Sequence, residues 1–455
     1  MLVNFRFDNF LSINELVEFS MVPGRTKGLQ DSLINLSNHK KLLKISAIYG
    51  ANASGKSSFI KALLYARFLI VNGFQDKLVF TSSFNKNKPD NKRKESRFEF
   101  EIVVGNRTYS YGFSVILSER KFVKEWLYDV TDEETLIYTV NRALQEFSIN
   151  DDFIDISQED KQRLYIYIED NIQDENQLFL NALQDGKKAI TINEDFRIFD
   201  SIFEWFSETL EVLQIDDEAR GSIPSVTLQD EVYKMDLGTY LDMNDTGVVD
   251  LVPIPVENLE GIPAKIQSRI QEQIISSVAQ RKNKQGEMST ILKTPTHIFI
   301  ITVDRDNSMS FSELKFKHKN GTLYSLFEES DGTVRLVELF SVLFNNKDKV
   351  FVIDEIDRSL HPLLTYNFIK SFRTKKGNNQ LIVTTHEDML LDFSVLRRDE
   401  IWFVEKNEEG NTSLYSLEEF KERFDKNIAN AYLDGRYGAV PRLQNLFTSL
   451  IEEGR

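Results

Sequence analysis

The sequence predicts an α/β protein, a parallel or mixed sheet with flanking helices, into which a mainly helical lobe is inserted. Three observations carry this. A mostly apolar run, Leu42–Tyr49, ends at Gly50, and beyond Gly55 the residues Phe59, Ile60, Leu63, Leu64 and Phe68 recur at helical spacing, which reads as strand, loop and helix. Alternating strand and helix patterns return near Thr296 and run to Thr384. Between them, from about 141 to 290, the texture is acidic and helical, with breaks around Gly221–Pro224 and Pro253–Pro263. The expected organisation is therefore 1–140 as the first half of the α/β unit, 141–290 as the insertion and 291–455 as the second half.

In chain order, Val3, Phe5 and Phe7 alternate with Asn4 and Arg6, and Leu16, Val17 and Phe19 follow a polar turn, so an antiparallel pair opens the chain. A basic stretch, Asn85–Arg97, precedes strands at Phe98–Val104 and Tyr109–Ile116, with Gly105-Asn106 as their hairpin turn and a meander to about Val130. That stretch lacks interleaved aromatics and reads as a solvated loop. Helices are expected at Gln158–Asp170, Phe196–Leu213 and Lys265–Gln280. Then come strands at Thr296–Val303 and Met309–Phe316, a helix at Val334–Leu343, a strand at Val350–Ile353, a helix at Leu363–Phe372 and a strand at Gln380–Thr384. A hairpin at Ile401–Glu405 and Ser413–Leu417 and a helical tail complete the reading.

Composition narrows the chemistry. With no Cys and only five His, disulfides, thiolate-bound metals and thiol nucleophiles are excluded. The formal net charge of -16 repels phosphate backbones, so nucleic acid would need a local basic face that the whole-chain charge does not favour. The amino terminus carries charge by Arg6 and lacks a signal-peptide core. No stretch reaches the ~18 uncharged apolar residues that span a bilayer. The expectation is a cytoplasmic protein without a membrane partner.

Gly50-Ala-Asn-Ala-Ser-Gly-Lys-Ser57 matches the phosphate-loop pattern in full, between a predicted strand and helix. Small residues let backbone N–H groups curl round a phosphate, and the helix amino end adds partial positive charge. Gly50, Asn52, Ser54, Gly55, Lys56, Ser57 and Ser58 are thus the expected ATP-binding residues, with Lys56 on the β and γ oxygens and Ser57 on Mg²⁺. Val350–Ile353 ends in Asp354-Glu355, a carboxylate for Mg²⁺ and a carboxylate to orient and deprotonate water. After the next apolar strand comes Thr384-Thr385-His386-Glu387, which would bring His386 near a γ-phosphate at neighbouring strand ends. Lys56, Glu355 and His386 are the expected catalytic residues. Glu329-Ser-Asp-Gly-Thr333 precedes a helix, and Ser330 reads as its cap.

With these motifs the sequence resembles the ATP-binding-cassette type of head found in SMC, RecF and OLD-like ATPases. The resemblance implies an ABC-type ATPase head with an antiparallel lobe, working as a head-to-tail homodimer or higher homo-oligomer. In those families a Ser-x-Gly element contacts the γ-phosphate held by the other subunit, and Ser330 and Gly332 match it. Glu329 stands where the family has an apolar residue, and Thr333 where Gln or Glu is common. Asp357–Pro362 falls at the family's dimer-interface loop, with His361 as an interface or packing residue. Gln75 is the only glutamine between Ser57 and Phe100 and gives no match to the family's Q-loop.

The sequence is similar, more closely, to the AbiLi/RloA-type ATP-binding proteins of bacterial defence loci, which include the ATPase subunit of the PARIS antiphage system. Phe5–Glu15, Ile48–Ser58, Ser330–Leu336, Ile353–Pro362, Gln380–Glu387, Leu396–Glu405 and Tyr432–Pro441 carry that similarity. It implies an ATPase that senses infection or scaffolds and controls a separate effector, a nuclease or toxin. Only 69 residues follow His386, too few for the Toprim nuclease domain of OLD nucleases, which again points to a separate effector. The rival expectation is a RecF- or SMC-like DNA-maintenance ATPase that clamps duplex DNA.

Overall fold

The computed structural model describes residues 1–36, 40–74, 80–150, 158–185, 197–213, 231–256, 288–293, 297–303, 309–345, 347–420 and 428–440. The chain divides into two compact units, one of Met1–Val212, Lys347–Ile356 and Lys376–Arg455, the other of Leu213–Asn346 and Asp357–Lys375.

The first unit contains two larger sheets. Its seven-stranded antiparallel sheet runs Glu146–Ile149, Thr135–Asn141, Lys121–Asp129, Arg107–Ile116, Ser96–Val104, Leu2–Phe7, Val17–Ser20. Period-two alternation puts one aromatic face inward: Phe5 pairs with Phe100, Phe7 with Phe98, and Phe98 with Phe113. These rings are fully buried, and Phe5, Phe7 and Phe19 meet Phe59 of the helix Lys56–Asn72 at 5.9, 6.1 and 5.0 Å. Each such burial contributes about 1.5–3 kcal/mol, so the helix that begins at the phosphate loop is fixed along its apolar face. Gly105, at φ +59°, turns the expected hairpin.

The six-stranded sheet runs Leu210–Leu213, Val350–Ile353, Gln380–Thr385, Ile45–Tyr49, Ile401–Lys406, Thr412–Ser416. Val350–Ile353, Gln380–Thr385, Ile45–Tyr49 and Ile401–Lys406 are parallel neighbours. Their continuous apolar runs suit strands covered on both faces. The α/β expectation is met. Three elements differ: the expected break at Pro253–Pro263 begins inside the strand Val248–Pro255, the antiparallel sheet continues past 141 to Ile149, and one expected helix ends as a strand. The helix expected over Phe196–Leu213 stops at Glu204, makes a π turn at Trp205–Thr209, and ends as the strand Leu210–Leu213. Leu210 and Val212 are buried while Glu211 reaches Lys349 at 2.6 Å, a period of two that wins over the helical spacing upstream.

The second unit holds the helix Glu231–Met243 and an antiparallel sheet of Val248–Pro255, Met309–His318, Ile298–Val303 and Met288–Lys293. Its helices Asp331–Phe344 and Pro362–Thr374 match expectation to within three residues at either end. Leu237, Leu241, Leu251, Leu314, Phe316, Leu336 and Phe340 form its core. The expected helix Lys265–Gln280, the break at Gly221–Pro224 and Gln75 lie outside the described residues. Among the described residues no helix is long and apolar enough to cross a membrane.

In the basic loop Asn85–Arg97, Lys86, Lys88, Lys92, Arg93 and Lys94 are exposed as expected. Buried Asn85 and Asn91 hold it in place, bonding Leu11 and Asn14.

Candidate active site

Two glycines make the loop after Ile45–Tyr49 what it is. A Cβ on Gly50 would come within 2.5 Å of Ser54 Oγ and 2.6 Å of the Val404 carbonyl. Gly55 has φ +119°, and a Cβ there would meet Thr412 Oγ1 at 2.4 Å. Outside the loop, the Ser58, Ser12 and Thr412 hydroxyls form a chain at 2.9 and 2.8 Å, and Thr412 donates to the Ser54 carbonyl at 2.7 Å. This chain clamps the loop from the antiparallel lobe and from the strand Thr412–Ser416. The helix amino end at Gly55 has no side-chain cap.

Lys56 is 6% exposed. Its ammonium donates to the carbonyls of Gly50 at 2.7 Å and Ala51 at 3.3 Å, and to His386 Nε2 at 2.9 Å. An ammonium has donors only, so His386 accepts here, as a neutral ring with its proton on Nδ1. His386 is itself exposed.

Parallel register explains this convergence. Thr385 pairs with Tyr49 and Ile353 with Val383, so the three strands end on one edge, where Gly50, Asp354 and His386 follow. Thr384, fully buried, joins them: its hydroxyl donates to Asp354 Oδ1 at 2.5 Å and accepts from the Glu355 N–H at 2.8 Å. Its carbonyl accepts from Ile356 N at 3.0 Å. Glu355 sits at φ +46°, a left-handed backbone that costs a non-glycine residue about 1–3 kcal/mol and that these bonds hold. Beyond His386, burial and then the neighbouring Glu387 raise the Asp388 carboxyl above its ordinary range.

The donors suit Mg²⁺ held jointly with a nucleotide. Ser57 and Asp354 offer hard oxygens, and among the described residues no group of three or more His, Asp or Glu could cage a metal alone. Buried Ser54 Oγ has no hydrogen-bond partner, an orphan that a phosphate cradle accounts for. Asn52 is exposed on the loop, and Ser58 Oγ accepts from Ser12 Oγ at 2.9 Å. The first unit thus gathers the loop, Asp354, Glu355 and His386. Ser330 and Gly332 belong to the second, where Ser330 is exposed and caps its helix by accepting from Thr333 N at 3.1 Å. His361 caps the helix Pro362–Thr374, its Nδ1 accepting from Leu363 N at 3.3 Å. Sequence reasoning missed Ser12, Thr412 and the role of Thr384. Only the Thr-Thr pair before His386 offered a signal.

Among solved structures, the chain is similar to an Smc head bound to the C-winged helix domain of ScpA, at 15% identity over 92% of this chain and 99% of that one, with TM-score 0.42. It is similar to the SMC head domain from Thermotoga maritima, at 12% identity over 91% and 98%, with TM-score 0.35. The recombination mediator protein RecF gives 13% over 91% and 98%, also at 0.35. No curated protein matches. The model of the family described as "AAA domain, putative AbiEii toxin, Type IV TA system" matches residues 45–163 and 168–392, which take in the phosphate loop, Ser330, Gly332, Asp354, Glu355 and His386. The chain belongs to this family and is a P-loop ATPase.

Proposed function

We propose that this ATPase closes head-to-tail on a second copy of itself with ATP in the interface, and that it serves bacterial antiphage defence by keeping a separate toxic effector, such as a nuclease, under nucleotide control. The observation that carries the site is that Lys56 meets His386 and Thr384 meets Asp354 where three parallel strands end on one edge. ATP would take the Lys56 valence that His386 now holds, and His386 would then face the γ-phosphate. Ser57 and Asp354 would hold Mg²⁺, which when bound neutralises charge on the β- and γ-phosphates. Glu355, fixed by Thr384, orients the attacking water and accepts its proton. Ser330 and Gly332 of the second copy complete the γ-phosphate contacts. The AbiEii toxin and Type IV TA system in the family's description support the defence role.

Glu355→Gln tests the chemistry: the amide can position water but cannot take its proton. ATP binding should persist, turnover should cease, and an ATP-bound dimer should accumulate in sizing chromatography. Near-normal hydrolysis would move the base elsewhere. Purification of that trapped dimer from its native cell tests the role. A bound nuclease or toxin is expected, whereas chromosomal repair proteins would overturn the defence assignment in favour of DNA maintenance.

A further inference from the structure

The segment that delivers Ser330 is fastened to the antiparallel sheet of its own unit at three points. Tyr324 pairs with Phe316 on the strand Met309–His318. Ser325 Oγ donates to Glu313 Oε1 at 2.7 Å. Finally, His318 Nε2 and Glu329 Oε1 lie 2.5 Å apart, immediately before Ser330.

This last contact is built as a buried one. The Glu329 side chain is 5% exposed and that of His318 24%, and the imidazole meets Tyr324 edge-on at 4.7 Å. A carboxylate so enclosed is costly unless a donor satisfies it. That explains why a glutamate can occupy a position where an apolar residue was expected. On the other side of the turn, a Cβ on Gly332 would lie 2.8 Å from the Ser359 carbonyl, so the helix start packs directly on the backbone of the loop Asp357–His361. Between these two supports Ser330 is exposed, its hydroxyl 2.9 Å from Thr333 Oγ1.

We propose that Glu329 and His318 are positioning residues for the Ser330–Gly332 element. The strand Met309–His318 thereby sets where the Ser330 hydroxyl stands, and a partner that displaces this sheet would alter ATP turnover through it. The inference rests on the reading that Ser330 serves the ATP of a second copy. Neither His318 nor Glu329 touches nucleotide. Their effect belongs to the turnover step, and ATP capture by the Lys56 loop is left alone.

Steady-state hydrolysis and ATP-dependent dimerisation of the full chain test this for Glu329→Ala, His318→Ala, their double variant and Glu329→Gln, with Ser330→Arg as the benchmark. Each single Ala variant should lose kcat on the order of 10-fold to 100-fold, the effect of a misplacement near 1 Å, with KM for ATP unchanged. The double variant should be no worse than either single one, because one contact is lost in all three. Glu329→Gln, whose amide oxygen still accepts from the imidazole, should recover most of the turnover. If Ser330→Arg is inactive while His318→Ala and Glu329→Ala keep wild-type kcat, the inference is overturned and the Ser330 reading stands. If Ser330→Arg itself turns over normally, that reading falls and takes the inference with it. Should Glu329→Ala not fold, wild-type kcat in His318→Ala alone is enough to refute the proposal.

Discussion

Thr384→Val removes one hydroxyl and keeps the side-chain shape. In the native protein that hydroxyl donates to Asp354 Oδ1 at 2.5 Å and accepts from Glu355 N at 2.8 Å, in a position with no solvent access. Losing a bond to a carboxylate costs about 1.5–3 kcal/mol, and losing the bond from the half-buried Glu355 N–H about 0.5–1.5 kcal/mol. Both losses come from one atom and are not additive, so a net destabilisation of about 2–4 kcal/mol is expected. Urea unfolding of the full chain measures it. The left-handed turn at Glu355 loses a side-chain anchor at the same time, and a carboxylate misplaced by ~1 Å slows turnover on the order of 100-fold. Lys56 and its loop are untouched, so affinity for a fluorescent ATP analogue should hold. A variant with wild-type kcat and wild-type urea midpoint would refute the claim that Thr384 organises the acidic pair.

Lys56→Ala should abolish most ATP binding in calorimetry, because the ammonium is the main point charge available to the β and γ phosphates. Unchanged binding would refute the loop assignment. Asp388 gives a pH-dependent prediction. Its carboxyl is raised above the ordinary 3.8, so the folded state holds that proton more tightly than the unfolded chain. The charged form therefore subtracts stability as pH rises above the ordinary value, and subtracts nothing once pH is well below it. Asp388→Asn should raise the unfolding midpoint at neutral pH and leave it unchanged near about pH 3. An equal shift at both would remove the electrostatic explanation.

The parallel strands and the phosphate loop were legible because buried strands read as unbroken apolar runs and the loop has an obligatory residue pattern. Glu355 and His386 were legible as residues following such runs, since parallel register brings their ends to one edge. Ser12 and Thr412 were not. Isolated hydroxyls far apart in sequence carry no periodicity, and it is the fold that brings them together, with Thr412 N bonded to the Ser12 carbonyl at 2.8 Å and the two hydroxyls 2.8 Å apart. The strand Leu210–Leu213 was hidden because Phe199, Ile202 and Phe206 impose a helical spacing that ends only at the π turn. Glu329 looked like a departure from pattern, and His318, whose contact explains it, lies 11 residues upstream on another element.

The central claim is that each active site is shared between two copies, and mixing two inactive variants tests it most directly. Lys56→Ala and Ser330→Arg should each be inactive alone. In a mixed dimer one site collects both lesions, while the other combines wild-type Lys56 with wild-type Ser330. Random exchange makes half the dimers mixed, so hydrolysis should recover to about a quarter of wild type if sites act independently under twofold symmetry, accompanied by ATP-dependent dimerisation of the mixture. A Ser330→Arg protein that hydrolyses ATP at full rate on its own would contradict the account.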